Sequence, residues 1–298
     1  MIRRIEHGDL QAVANLAHSE RLLSAGRGPR LWSPAGLGQH AHPLLLGRRI
    51  DTSGTLGLVD DRGGALVGAA IAVPPLGSEP AWVVHEFVVR SPAEWATTGR
   101  TLLAALASRA VSAGIDELVV PCATVDLAKA HMLESAGFHR RWWVRHRAPG
   151  PRRTAPPPGV RGYVEADASS SWQWRGPQGI PLTHSSTRVP GGTSALVFDE
   201  ATPAAAVSIA GDFDPPAGYT KDGTGLLAGP FALKPGTDLE AVVPSLLAGL
   251  QWLATSRGDS HVLVASWSED PELDSVLAGA GYDDPLSWWR LVVERPAR

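Results

Sequence analysis

Residues 87–138 read FVVRSPAEWATTGRTLLAALASRAVSAGIDELVVPCATVDLAKAHMLESAGF, and residues 231–282 read FALKPGTDLEAVVPSLLAGLQWLATSRGDSHVLVASWSEDPELDSVLAGAGY. Displaced by 144 positions, the two stretches align without a gap. Phe87 falls on Phe231, Leu102-Leu103-Ala104 on Leu246-Leu247-Ala248, Leu106 on Leu250, Ala110 on Ala254, Ser112 on Ser256 and Gly114 on Gly258. Further on, Val120 meets Val264, Asp126 meets Asp270, Leu133 meets Leu277, and Ala136-Gly137 meets Ala280-Gly281. Both copies run on into a tryptophan pair, Trp142-Trp143 and Trp288-Trp289, after a two-residue difference in loop length. Chance likeness between two amphipathic helices does not hold strands and glycines in one register, so the chain carries an internal repeat.

Within the first copy, Leu102, Leu103, Leu106, Ala110 and Val111 recur at helical spacing up to Gly114, a natural stop. Strand 117–121, helix 126–136 and strand 138–146 follow. Upstream, Ile2 and Ile5 alternate with polar residues, and Asp9 stands where a helix N-cap belongs, ahead of Leu10, Val13 and Leu16. Residues 27–51, rich in Gly, Pro and His, read as a loop with one broken helix. Stretches 55–60 and 65–73 flank Asp61-Arg62-Gly63-Gly64 as a hairpin, and 81–90 reads as a further strand. Residues 148–159, APGPRRTAPPPG, hold too much proline for helix or sheet interior. They mark a linker between an N-terminal domain, 1–147, and a C-terminal domain, 160–298. After it, residues 159–192 give no assignable pattern, with Trp172 and Trp174 in a Ser- and Gly-rich context, and strands return near 194–199 and 204–210.

Composition bounds the function class. A chain of 298 residues with 44% hydrophobic and 19% charged residues and a net charge of -3 reads as a soluble globular protein of two domains, with no call for a nucleic-acid partner. No stretch approaches the ~18 apolar residues of a membrane span, and a cytoplasmic location is expected. Cys122 is the single cysteine, which excludes an internal disulfide, and it reads as a small buried residue rather than a nucleophile. His7, His18, His40 and His42 lack a metal-ligand spacing, so loop histidines in solvent and no metal are expected.

The order of elements in each half, with the Gly137-Phe138 step after the last helix, resembles the GNAT (GCN5-related N-acetyltransferase) superfamily over most of 1–147 and, more weakly, about 194–295. The resemblance implies an α/β fold class with an α+β mixed sheet, as two tandem GNAT-like acyl-CoA N-acyltransferase folds. It implies acetyl-CoA or another acyl-CoA as co-substrate, its pantetheine arm pairing with the fourth strand and its pyrophosphate held by the next loop and helix N-terminus. The family's loop pattern, Arg/Gln-x-x-Gly-x-Gly/Ala, falls on Glu94, Thr97 and Gly99 in the first copy, where only Gly99 matches. In the second copy it falls on Asp238, Ala241 and Val243, where none matches, and Asp238 and Glu240 would repel a phosphate. Cofactor contacts are therefore expected in the first copy alone, at Val88, Val89, Arg90, Thr97, Thr98, Gly99, Arg100 and Thr101. Two helix starts are open there. Ser91-Pro92-Ala93-Glu94 is a capping-box pattern that would start the helix early and abolish the phosphate loop. A cap at Thr97 or Thr98 would leave the N–H groups of Thr98 to Thr101 for the phosphates, and the distance to Leu102-Leu103 favours this second start.

By the same resemblance, His85 matches a strand position where arylalkylamine-type members place a histidine base. Glu86 has the other strand parity unless a bulge intervenes, and it also reads as the partner of an arginine. His85 reads equally as a satisfied structural histidine. The tyrosine that many members carry four residues before the Gly-aromatic step is Leu133 here and Leu277 in the second copy, and nearby His131 reads as a helix-surface histidine. The expected function is acyl transfer to the amine of a small molecule in the first half, by direct attack. A binding protein without activity, and a decarboxylase or hydrolase on the same fold, stay open.

Overall fold

The computed structural model describes residues 1–25, 33–34, 38–74, 81–151, 154–162, 173–175, 195–199, 203–212, 219–220, 225–267 and 270–293. The first half contains β1 (Ile2–Arg4), α1 (Leu10–Ala25), β2 (Ser33–Pro34), α2 (Gly38–Ile50), β3 (Leu56–Arg62), β4 (Ala65–Val73), β5 (Ala81–Val89), α3 (Arg100–Ala113), β6 (Glu117–Ala123), α4 (Leu127–Ser135) and β7 (His139–Arg147). The second contains β8 (Val160–Gly162), β9 (Gln173–Arg175), β10 (Ala195–Asp199), β11 (Pro203–Asp212), β12 (Tyr219–Thr220), β13 (Gly225–Leu233), α5 (Leu239–Arg257), β14 (His261–Trp267), α6 (Pro271–Gly279) and β15 (Asp283–Val292). Where the sequence suggested a broken helix in 27–51, α2 runs for 13 residues with Pro43 inside it. Residues 26–32 and 35–37 of that stretch, like Trp172, lie outside the described residues.

The repeat holds in the backbone. Strands β5 and β13, strands β6 and β14, and helices α4 and α6 begin and end 144 positions apart (81 to 225, 117 to 261, 127 to 271). Asp126 and Asp270 cap α4 and α6 in the same way, each carboxylate accepting from the backbone N–H three residues on, Lys129 and Leu273. Gly114 and Gly258 end α3 and α5 with φ of 74° and 81°, a left-handed conformation that glycine reaches without strain. The tryptophan pairs are not equivalent, however. Val120 pairs with Trp289 and Val264 with Arg145, so the 144-residue register runs straight through and sets Trp289 against Arg145 (289 − 145 = 144).

The chain forms two compact units, one of Met1–Arg141, Pro215–Thr220 and Leu286–Arg298, the other of Trp142–Asp214 and Lys221–Pro285. In the first unit the sheet order is β1-β3-β4-β5-β6-β15, antiparallel except for the β5–β6 pair. The second repeats it as β8-β10-β11-β13-β14-β7, antiparallel except for β13–β14. Each sheet therefore ends on the last strand of the other half of the sequence. The units differ to this extent from contiguous domains 1–147 and 160–298. Because β7 and β15 are copies of one element, each fits the edge that the other leaves, as in a domain swap.

In the first unit Phe87, Leu102, Leu106, Leu133 and Phe138 pack one sheet face against α3 and α4. Val59, Ala69, Ile71 and Val88 pack the other against Leu10, Val13 and Ala14 of α1 and Leu46 of α2. In the second unit one core cluster gathers Leu226, Phe231, Leu246, Leu250, Leu273 and Leu277, and a smaller one Val197, Ala206 and Ala232. None of the described helices is long and apolar enough to cross a membrane.

Candidate functional site

Strand β5 pairs with β6 only at Ala81, Trp82 and Val83, and beyond that point the two parallel strands part. On its other edge β5 stays paired with β4, but the register slips: Val84 faces Ala72 and Glu86 faces Ile71. His85 is thus the extra residue of a β-bulge, and the bulge resets the parity of everything after it. Glu86 now points with Val88 toward α1 and α2, while Phe87 and Val89 point toward α3.

Glu86 is 2% exposed. Nη2 of Arg21 donates to both its oxygens at 2.7 and 2.9 Å, and Nε2 of His42 lies 3.2 Å from Oε1. Nη1 of Arg21 lies 3.2 Å from Nδ1 of the same imidazole, which fits the tautomer that donates from Nε2 and accepts at Nδ1. Arg49 stands 3.8 Å from the carboxylate. Burial alone would raise the Glu86 pKa, but the charge of Arg21, the His42 hydrogen bond and the charge of Arg49 hold it down at about 2. A carboxylate so enclosed takes up no proton near neutrality. His42, 1% exposed, is thus an internal partner and not the solvated loop histidine that the sequence suggested.

The edge of β5 that β6 leaves is the second feature. The N–H of Arg90 donates to Val67 O on β4, so the alternation of a strand turns the N–H and C=O of Phe87 and Val89 to the opposite, uncovered edge. Nζ of Lys129, from α4, donates to Phe87 O there at 3.1 Å. The ammonium also lies 5.5 Å from the centre of the Phe87 ring and 5.1 Å from that of Trp95. Where the strands part, a small open cleft is lined by Glu20, Leu23, Val89, Arg90, Pro92, Trp95 and Asp126, among others. Burial pushes the half-buried Glu20 carboxyl up to about 7, against the pull of the Lys129 charge and with a push from Asp126. Burial likewise pushes the Cys122 thiol up to about 12, which removes it as a nucleophile.

The helix does start early. Pro92–Glu94 form a turn of 3-10 helix, Trp95–Gly99 a turn of π-helix, and α3 continues without a break. Among the predicted contacts, Val89 and Arg90 line the cleft, and Val88 is packed into the core beneath α1. The cap at Thr97 or Thr98 is not formed. Thr98 is fully buried and its hydroxyl accepts from Arg62 at 2.7 Å. Gly99 lies flat against the Trp95 ring, Arg100 donates to the Ser135 hydroxyl, and Thr101 bonds back to Thr97 O. The physical reason is that Pro at the first helical position and the buried Trp95 draw the preceding turn into the helix. The helix N-terminus that borders the cleft is at Ser91-Pro92, where Arg90 is paired with Glu94 at 2.5 Å.

In the second unit the same strand bulges at the same place. Val207 faces Phe231 and Ile209 faces Ala228, which leaves Gly229-Pro230, the counterparts of His85-Glu86, as the irregular pair, joined by a cis peptide. There the edge equivalent to Phe87–Val89 is closed. Phe231, Ala232 and Leu233 have β11 on one side, and β9 pairs with all three on the other. At the register of Lys129 stands Leu273, fully buried.

Sequence reading missed Arg21, Glu20, Trp95 and Lys129. For Lys129 a signal existed, since its repeat partner is a leucine on the apolar face of the helix. Nothing marked the others, and Arg21 lies 65 positions in sequence from the Glu86 it pairs with. His131 is exposed, as read.

The chain matches no protein-family model and no curated protein. Among solved structures, a tandem GNAT protein from the clavulanic acid biosynthesis pathway matches at 16% identity and a TM-score of 0.51, covering 100% of this chain and 99% of that one. A GCN5-related N-acetyltransferase from Sphaerobacter thermophilus matches at 12% identity and a TM-score of 0.59, with 100% and 96% covered. These likenesses establish the fold, two GNAT domains in tandem.

Proposed function

We propose that this tandem GNAT-fold chain is an acyl-CoA-dependent N-acyltransferase, with acetyl as the acyl group we assign, acting on an amine of a small molecule in the first unit. The observation that carries the reading is the uncovered edge of β5 beyond Val83, beside the cleft. Val89 offers an N–H and a C=O to an extended amide-bearing arm, as a neighbouring strand would. The positive end of the helix at Pro92, with Arg90, borders the same cleft for an anionic group. The second unit is the scaffold, its corresponding edge taken by β9.

Acyl-CoA supplies a thioester carbonyl when bound, and the chain's residues supply proximity and proton handling. An amine attacks only when neutral. We assign His85, the bulged residue, to take the ammonium proton, and Glu20 as the second group able to do so from the cleft wall. Glu86 acts through Arg21 and His42, fixing α1 and α2 against β5. The leaving thiolate takes its proton from solvent, since Leu133 fills the place of the family's tyrosine.

A second reading, a binding protein without acyl transfer, is favoured by Lys129 on Phe87 O and by the early helix start. Melting temperature with and without acetyl-CoA separates the two, because a ligand specific for the folded state raises it by mass action. We expect a rise, and thiol release with a panel of small amines. His85→Gln should then lower kcat by about two to four orders of magnitude with the fold intact. No shift with acetyl-CoA and no thiol release would leave the binding-protein reading.

A further inference from the structure

Both units close the uncovered edge of their bulged strand from within, but by different means. In the second unit a three-residue strand, β9, pairs along Phe231–Leu233. In the first unit the closure is a single hydrogen bond, from the Lys129 ammonium to Phe87 O. At the same register the second unit has Leu273, an ordinary core residue. Leucine would satisfy the packing at this point of α4, and a buried ammonium there carries a desolvation cost that only its partners offset. Those partners include one carbonyl, two ring faces and the charge of Glu20.

We infer that Lys129 competes with the incoming acyl-CoA arm for the carbonyl of Phe87, and so sets the affinity of the first unit for its co-substrate. The inference rests on the acyl-CoA reading above. Phe87 O faces the uncovered edge, two residues before the pair offered by Val89. An arm laid along that edge needs the carbonyl that Lys129 now holds. The displaced ammonium has carboxylates to turn to, because its charge already acts on Glu20 in the cleft wall, and Asp126, also in that wall, caps the same helix. The groups around this ammonium are Phe87 from β5, Trp95, Asp126 at the cap of its own helix, and Glu20 and Cys122, on both of which its charge acts.

The test is titration calorimetry of acetyl-CoA into the full chain and two variants, Lys129→Ala and Lys129→Leu. The second installs the residue that the repeat itself uses at this register, so it keeps buried volume and serves if the alanine variant folds poorly. We expect acetyl-CoA to bind at least tenfold more tightly to the Lys129→Leu variant than to the wild type. Removal of a merely structural lysine would not tighten binding. Wild-type affinity in both variants, or weaker binding, would overturn the competition while leaving the acyl-CoA reading in place. No binding to any of the three proteins would overturn both.

Discussion

A carboxylic acid placed alone where Glu86 sits would be neutral, because burial penalises the charge by more than a surface ion pair recovers. Arg21 and His42 reverse that balance, and the direction of the effect on stability follows. The Glu86 pKa is held at about 2 in the fold against 4.5 for an ordinary glutamate. Its contribution is therefore fully present above about pH 4.5 and is lost as pH falls toward about 2. Glu86→Ala leaves the buried Arg21 without its carboxylate, and urea unfolding at pH 7 should show a loss of about 3–5 kcal/mol. A loss below about 1 kcal/mol would mean that the cluster is hydrated and not an internal ion pair. The sequence allowed an arginine partner for Glu86 but could not say which one. Arg21 is 65 residues away, and only the packing of α1 on β5 brings it there.

At the scale of elements, the helical run from Pro92 to Ala113 shows local chemistry settling a question that comparison of motifs left open. Gly99 is the one position of the loop pattern that survives, yet its use in the fold is steric. A Cβ there would stand 2.6 Å from the Trp95 ring, which packs edge-on to Phe87 at 4.9 Å between ring centres. Gly99→Ala should consequently lower stability by about 1–3 kcal/mol in the absence of any ligand, read as a drop in melting temperature. A variant that melts with the wild type would place the glycine's role outside packing. The periodic elements were legible, because Leu102, Leu103, Leu106 and Ala110 follow the helical period and Asp126 and Asp270 are plain caps. The bulge at His85 was not. It is a property of register between β4 and β5, and the residues on either side of it look like any continuous strand. Nor was β9, whose three residues pair with a strand more than 50 positions away in a stretch without periodicity.

For the whole molecule, duplication gave two copies of one sheet and left each free to change. Exchange of β7 and β15 is invisible in the sequence, because the two strands are copies and either edge accepts either one. The second copy closed its slot with β9 and put Gly229-Pro230 where the first copy has His85-Glu86, while the first kept an edge covered by one lysine. The repeat made the architecture readable. The proposed division of labour was legible in part, since Asp238 and Glu240 stand where the second copy would need a phosphate site, while the closure of its edge by β9 rests on non-local pairing and came from the fold. The central claim is that co-substrate binds in the first unit, along β5, and not in the second. The most direct measurement is a crystal structure of the Lys129→Leu chain grown with CoA. The account predicts one CoA per chain, its arm along Phe87–Val89 and its anionic end near Arg90 and Pro92. A CoA arm lying along Phe231–Leu233 in place of β9 would contradict it.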